Sequence, residues 1–435
     1  YAGQVRTALK PQYVDKLPAA VKGVPRDLLG RVAERMTVEE ASSLLDLDEV
    51  IDRPLDKLSG GELQRVAIAA TLMKDADIYF FDEPSSYLDI FQRIRMARLI
   101  QELAKDKQVM VIEHDLAILD FMTDNAYLVY GSEGAYGVFA QPRHVRTAIN
   151  TYLDGYMREE NIRFRDTAIR FESHPPRDTV EMVPLMEFGD LECDHKQFKL
   201  KVEGGTIRIG ESVGVVGPNA IGKTTFVKML AGVQEPTKGK LDKNATVSYK
   251  PQYISPDFDG TVSELFMATA FDFFQSGFFE SEIAHPLSLR RLYEKNVMHL
   301  SGGELQRVAI ALCLSKDADI YLLDEPSAYL DSNQRMEAAK TIRRVMEKKG
   351  RSALIVDHDI YFLDMVSDSM MVFSGTPGVE GLATGPYDMR QGMNMFLKAI
   401  DVTFRRDNDT NRPRINKPGS RLDREQKEKG EYYYS

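Results

Sequence analysis

Two cysteines are all that 435 residues contain, Cys193 and Cys313. They lie far apart in different contexts, so they cannot build a CxxC metal or redox site. Both are expected to be reduced structural thiols of a cytoplasmic protein. A run of about 18 uncharged apolar residues, the length a membrane-crossing helix needs, is also missing. The nearest stretch, residues 262–279, is broken by Glu264, Asp272, Gln275 and Ser276 and reads as a soluble helical segment. Positive charge is not in excess: the net charge is −10, which excludes a general nucleic-acid coat, so any RNA contact must be local. No signal peptide opens the chain, and it begins with Tyr1 rather than Met, as a fragment would.

What is present is ordinary globular material, 43% apolar and 28% charged, enough to fill the cores of two or three domains. It is also duplicated. The octapeptide LSGGELQR occurs at Leu58–Arg65 and again at Leu300–Arg307. Each copy is followed by Asp-Glu-Pro (Asp82–Pro84, Asp324–Pro326), then Ser-x-Tyr-Leu-Asp (Ser85–Asp89, Ser327–Asp331), then a His-Asp pair (His114–Asp115, His358–Asp359). Four motifs in one order, twice, point to a tandem nucleotide-hydrolysing machine with two similar halves.

The second half carries a full G-x-x-x-x-G-K-T at Gly217–Thr224, between an apolar strand expected at Ser212–Val216 and a helix expected at Lys223–Leu230. That is the context a phosphate loop needs. Its glycines let backbone N–H groups wrap a phosphate, and the helix start adds partial positive charge. Lys223 supplies a cation for the β- and γ-phosphates and Thr224 a hydroxyl for Mg²⁺. The first half opens with Lys10-Pro-Gln12-Tyr13, the counterpart of Lys250-Pro-Gln252-Tyr253. Shifted back by the repeat, Lys223 falls before residue 1. The first half is therefore expected to lack its own phosphate loop through truncation.

The strands DIYLLDEP and DIYFFDEP each end in two carboxylates. Asp324 can hold Mg²⁺ through water, and Glu325 can orient and polarise the attacking water; Asp82 and Glu83 repeat the pair. Gln252, in a loop after Pro251, can reach the metal or the water, and His358, after an apolar strand at 353–356, can reach the γ-phosphate. Ser59-Gly60-Gly61-Glu62 has capping-box chemistry, as has Ser301-Gly302-Gly303-Glu304. Plain capping does not require Gly-Gly, so these read as phosphate-facing surfaces. Strands are also expected at 78–81 and 109–112, and a helix at 150–165 followed by a Pro-broken linker.

With these motifs in hand, the chain resembles the ATP-binding cassette superfamily, most closely the soluble ABC-E family of ribosome-recycling ATPases, also called RNase L inhibitor. KPQYVDKLP, FFDEPSSYLD, YGVFAQPR, YLDGYMREENIRFR and NKPGSRLDREQKEKGEYYYS carry the resemblance, which spans essentially the whole chain. It implies an α/β protein of two P-loop cassettes arranged head to tail: a truncated first cassette at 1–150, a hinge at 151–182, a second cassette at 183–395 and a C-terminal hinge segment at 396–435. One composite ATP site would then join Gly217, Pro218, Asn219, Ala220, Ile221, Gly222, Lys223, Thr224, Thr225, Gln252, Asp324, Glu325 and His358 to Ser59, Gly60, Gly61 and Glu62. The other would set Gln12, Asp82, Glu83 and His114 against Ser301, Gly302, Gly303 and Glu304, without a Walker A. Catalysis would fall to Glu325 and His358, and to Glu83 and His114. Thr224, Gln252 and Asp324, with Gln12 and Asp82, would serve Mg²⁺. Iron–sulfur clusters would belong only to a missing N-terminal domain. Ala220 replaces the family's usual Gly, tolerable at negative φ and costly at positive φ. Phe198 or His195 would stack on adenine.

The resemblance further implies a monomeric cytoplasmic factor with no membrane partner. Its partners would be the ribosomal small subunit and ribosomal RNA, a release factor or its rescue homologue, and initiation factors. Archaeal origin fits the short loops. The hinges would match about 156–177 and 403–435. The tail between Phe404 and Gly430 carries nine bases against five acids. It is either a solvated segment or a clamp across the halves with RNA contact. Three rivals share the chemistry. ABC-F translation factors join their cassettes by a long charged helix, whereas this linker is short and Pro-containing. A transporter ATPase subunit would not need the terminal hinge. A chromosome-organising ATPase would need a coiled coil between Thr224 and Ser301, where there is no room.

Overall fold

A computed structural model describes residues 5–132, 136–165, 168–171, 183–195, 198–241 and 245–433. The chain divides into two compact units, Tyr1–Ile149 and Asn150–Ser435.

In the first unit, three parallel strands lie in the order Thr7–Lys10, Ile78–Asp82, Gln108–Ile112. The period-two pattern of a strand buries Tyr79 and Phe81 on one face. On the outer strand Met110 and Ile112 remain 50% and 54% exposed. The helices Gly60–Met73, Ile90–Leu103 and Leu116–Met122 follow the signature, the Tyr-Leu-Asp turn and the His-Asp pair respectively. Each starts where a polar side chain accepts from the first turn: Ser59 from Glu62 N, Asp89 from Gln92 N, Asp115 from Ile118 N. The last residue of two motifs is thus a helix cap.

The second unit repeats that plan around a larger sheet of eight strands. Their order is Leu191–His195, Phe198–Val202, Glu380–Asp388, Ser369–Thr376, Ser212–Val216, Ser352–Val356, Ile320–Asp324, Val247–Lys250. Ser212–Val216 pairs in parallel with Ser352–Val356, which pairs in parallel with Ile320–Asp324. All three are buried along their whole length, as strands covered on both faces must be. Val213, Val215, Leu322, Leu354 and Val356 form the core with Phe226 and Val227 of the helix Lys223–Leu230. Signature, turn and His-Asp pair again precede helices, Gly302–Ser315, Ser332–Lys349 and Ile360–Val366.

The expected strands and the two helix starts hold to within a residue or two. The stretch 262–279 is helical as expected, with Phe266, Phe274 and Phe279 packed ring on ring. None of the described helices is long and apolar enough to cross a membrane. The helix expected over 150–165 is corrected. A helix runs Val145–Asp154 and stops at Gly155, whose φ of +74° is a left-handed helix end. A hairpin of Tyr156–Met157 and Ile162–Arg163 follows. The linker residues 172–182 lie outside the described residues.

Most of the tail before residue 417 is packed, whereas the helix Arg421–Lys429 is largely exposed. Phe404, Arg412, Ile415 and Tyr433 are buried, and Phe404–Arg406 pairs with Pro413–Ile415. Three of its bases are held internally. Arg406 grips both oxygens of Asp364 at 2.7 and 2.9 Å, Arg412 donates to Tyr361 Oη and Asn150 Oδ1, and Arg414 pairs with Asp407. Composition left solvation open as one of two readings, because it counts charges and cannot see which of them neutralise one another.

Candidate active site

The strand Ser212–Val216 runs into the phosphate loop, and the helix begins at Lys223. Gly222 caps that helix at φ +98°, and a Cβ there would lie 3.0 Å from the Phe198 ring, so only glycine fits. The Lys223 ammonium lies within the loop, donating to the carbonyls of Gly217 (2.8 Å) and Pro218 (2.6 Å). Ala220 has a φ of +56°, so the costly alternative for a non-glycine residue is the one realised. Its carbonyl accepts from Gly378 N at 2.9 Å. Phe198 packs on the loop at Gly222 and Gly381, whereas His195 is exposed and faces Gln234.

Asp324 ends the central strand Ile320–Asp324 and is fully buried. Neither carboxylate oxygen has a complete hydrogen bond, although the Thr224 hydroxyl faces them. Burial pushes its pKa up to about 6; Thr224, Lys250 and Lys223 pull it down, and the Glu325 charge adds to the rise. Such a buried oxygen pair beside a hydroxyl suits a hard divalent cation. Among the described residues no three His, Cys, Asp or Glu side chains could hold a metal. A cation here would take further ligands from a nucleotide.

Glu325 turns away from the strand at φ +48°. Its carboxylate accepts from Gln252 Nε2 at 2.7 Å and lies 3.6 Å from His358 Nε2. Burial pushes this carboxyl up, but His358 and Gln252 outweigh it and hold the pKa at about 2. A carboxylate held that low orients and polarises water rather than keeping its proton. The first unit brings the counterparts together in the same way. Gln12 Nε2 donates to Glu83 at 2.6 Å, His114 Nε2 lies 3.3 Å from Glu83, and Glu83 has a φ of +46°. The His114 hydrogen bond holds Glu83 at about 2, and burial raises Asp82.

Both signatures form the expected capping box: Ser59 with Glu62, and Ser301 with Glu304. The glycine pairs have a second reason. A Cβ on Gly61 would lie 3.0 Å from the Tyr87 carbonyl oxygen, and one on Gly303 would lie 2.8 Å from that of Tyr329. The tyrosine of the Ser-x-Tyr-Leu-Asp turn, itself at positive φ in both units, sits on the glycine pair.

Sequence reasoning missed three pairs of residues. Lys10 and Lys250 are buried lysines whose ammonium groups donate to the backbone carbonyls of the Asp-Glu pair. Gln64 and Gln306, inside the signature octapeptide, donate to the Glu83 and Glu325 carbonyls. Glu113 and Asp357, each directly before the histidine, accept from Ser85 N and Ser327 N and from the backbone of the His-Asp pair. The signal was available: each recurs at the same motif position in both halves.

The family described as "ABC transporter" matches residues 4–86 and 201–328. An uncharacterised ABC transporter ATP-binding protein of Methanocaldococcus jannaschii is 52% identical over 99% of this chain and 71% of its own. Two solved structures are similar at 54% identity. One is of the archaeal ribosomal stalk protein aP1 with the archaeal ribosome recycling factor aABCE1; the match has TM-score 0.96 and covers 100% of this chain and 84% of that one. The other is of ribosome-bound archaeal Pelota and ABCE1, with TM-score 0.93, covering 100% and 73%. With the two motif sets and their geometry, these likenesses mean that the chain belongs to the ABC-E family of tandem ATP-binding cassette ATPases.

Proposed function

We propose that this ATPase recycles ribosomes, splitting them into subunits as ATP closes its two cassettes. The observation that carries this reading is the meeting of Gln252 and His358 on Glu325 in a chain 54% identical to an archaeal ribosome recycling factor. ATP occupies Gly217–Thr225, with its β- and γ-phosphates on the loop and Lys223. Thr224, Gln252 and Asp324 would hold Mg²⁺, which would supply charge neutralisation for the phosphates. Glu325 aims the attacking water and His358 senses the γ-phosphate. Glu83 and His114 would play these parts in the first cassette only together with a phosphate loop, which these residues do not include. Binding energy available only in the closed state shifts an open–closed equilibrium, and loss of the γ-phosphate reopens it.

The partners proposed are the small subunit, its RNA and a release factor or rescue homologue. Pelota and a stalk protein accompany the two similar structures. A ribosomal substrate places the protein in the cytoplasm. Co-sedimentation with small subunits tests the reading, with a non-hydrolysable ATP analogue against ADP and Glu325→Gln against the unchanged protein. Pelleting with the analogue, strengthened by Glu325→Gln, is expected. No pelleting with any nucleotide, while hydrolysis persists, would remove the ribosome from the reading and favour a transporter-type ATPase.

A further inference from the structure

Glu325 cannot hold its own conformation. A non-glycine residue at φ +48° lies in a region that costs about 1–2 kcal/mol, so neighbours must impose it. Its amide is fixed by donation to the Val356 carbonyl at 2.8 Å. Its carbonyl is fixed by two side chains from elsewhere. Gln306 Nε2 donates to it at 2.7 Å, and Lys250 Nζ reaches it at 3.5 Å while donating to the Asp324 carbonyl at 2.7 Å. Both side chains are about as buried as any in the unit, each with 1% of its surface exposed. A buried ammonium and a buried amide are expensive unless their hydrogen bonds serve a purpose.

The first unit repeats the arrangement. Lys10 Nζ donates to the Asp82 and Glu83 carbonyls at 2.8 and 3.0 Å, and Gln64 Nε2 donates to the Glu83 carbonyl at 2.8 Å. Glu83 is in the same left-handed conformation. The surrounding sheets differ, so general packing does not explain the shared clamp.

We infer that Lys250 and Gln306 are positioning residues for hydrolysis: they pin the Asp324–Glu325 peptide carbonyls so that the Glu325 carboxylate points at the attacking water. This rests on the reading that Glu325 orients that water. Gln306 adds a consequence. It lies on the helix that the signature opens, Gly302–Ser315, so a shift of that helix is felt at the Glu325 carbonyl. Lys10 and Gln64 serve Glu83 in the same way.

The test is a double-mutant cycle in the whole protein, measuring the single-turnover rate of bound ATP to ADP and the dissociation constant of a non-hydrolysable analogue. Lys250→Met and Gln306→Leu should each slow the chemical step by about 10- to 100-fold, with analogue affinity changed by about twofold or less. In a Glu325→Gln background neither should slow it further, because both act through the carboxylate. A merely structural role would instead multiply the two losses, or weaken analogue binding and rate together; either result overturns the proposal. So would an unchanged rate in both single variants. If Lys250→Met does not fold, the Gln306→Leu cycle decides alone. An unchanged rate in Glu325→Gln itself would sink the underlying reading instead.

Discussion

The two units contain the same motifs in very different sheets. In the second, the strand that presents Asp324 lies inside eight strands and is buried throughout; in the first, the strand that presents Asp82 lies between two neighbours and alternates between half-buried and buried. Yet the local chemistry is nearly superimposable. The loop glutamine lies 2.6 Å from the glutamate in one and 2.7 Å in the other, and the glutamate φ angles are +46° and +48°. Motif geometry is therefore set by short-range hydrogen bonds within the repeated residues. What the sheet sets is the dielectric: the His358 side chain is 8% exposed, that of His114 38%. Sequence identity gives shape, and burial gives electrostatic strength.

The comparison is tested most strongly at the two aspartates. Burial lifts Asp324 from an ordinary 3.8 to about 6. A raised carboxyl takes up its proton in the folded state first. Its cost to stability is absent below about pH 4, grows as pH rises through the window up to about 6, and is full above it. Asp324→Asn should therefore stabilise the nucleotide-free protein near pH 7.5 by about 1–3 kcal/mol, and should give nothing at pH 4. Asp82 is raised in the same direction but is only half-buried, so Asp82→Asn should give a smaller gain. Denaturant unfolding at the two pH values checks both. Equal gains would mean that the larger sheet does not set the local dielectric.

Much of this was legible in the sequence because it was written twice. The phosphate loop, Asp324, Glu325, Gln252 and His358 were each identifiable from residue type and spacing, and the structure brings them together. Lys250, Gln306 and Asp357 were not recognised. Their partners are mainly backbone atoms, so residue type gave no hint of their role and only their recurrence in both halves marked them. The two readings of the tail could not be separated for a related reason: Arg406 and Asp364 are distant in sequence, so pairing could not be told from exposure. Gly155 was passed over as a helix end because the polar residues around it keep a helical composition.

A smaller effect separates the signatures. A Cβ at residue 303 would lie 2.8 Å from the Tyr329 carbonyl oxygen, against 3.0 Å from that of Tyr87 for residue 61. Backbone can yield only by moving the turn, so Gly303→Ala should cost about 1–3 kcal/mol and Gly61→Ala less. Thermal unfolding of the two variants gives the order. A reversed order would show that the less buried unit holds its turn more rigidly, against the comparison above.

Left-handed residues recur where the motifs are repeated. Glu83 and Glu325, and Tyr87 and Tyr329, are left-handed at matching positions, as expected where the conformation itself is used. Ala220, at φ +56°, lies in the phosphate loop, a motif present once among these residues. Replacing it with glycine removes a left-handed penalty of about 1–2 kcal/mol, and the extra freedom of an unfolded glycine takes back about 0.5–1 kcal/mol. Ala220→Gly should thus stabilise the protein by about 0–1.5 kcal/mol, a melting shift of a few degrees at most, and leave single-turnover hydrolysis unchanged. Its carbonyl can still accept from Gly378, so loop shape should persist. A slowed turnover with intact nucleotide binding would place Ala220 with Glu325, as a residue whose strain the chemistry uses.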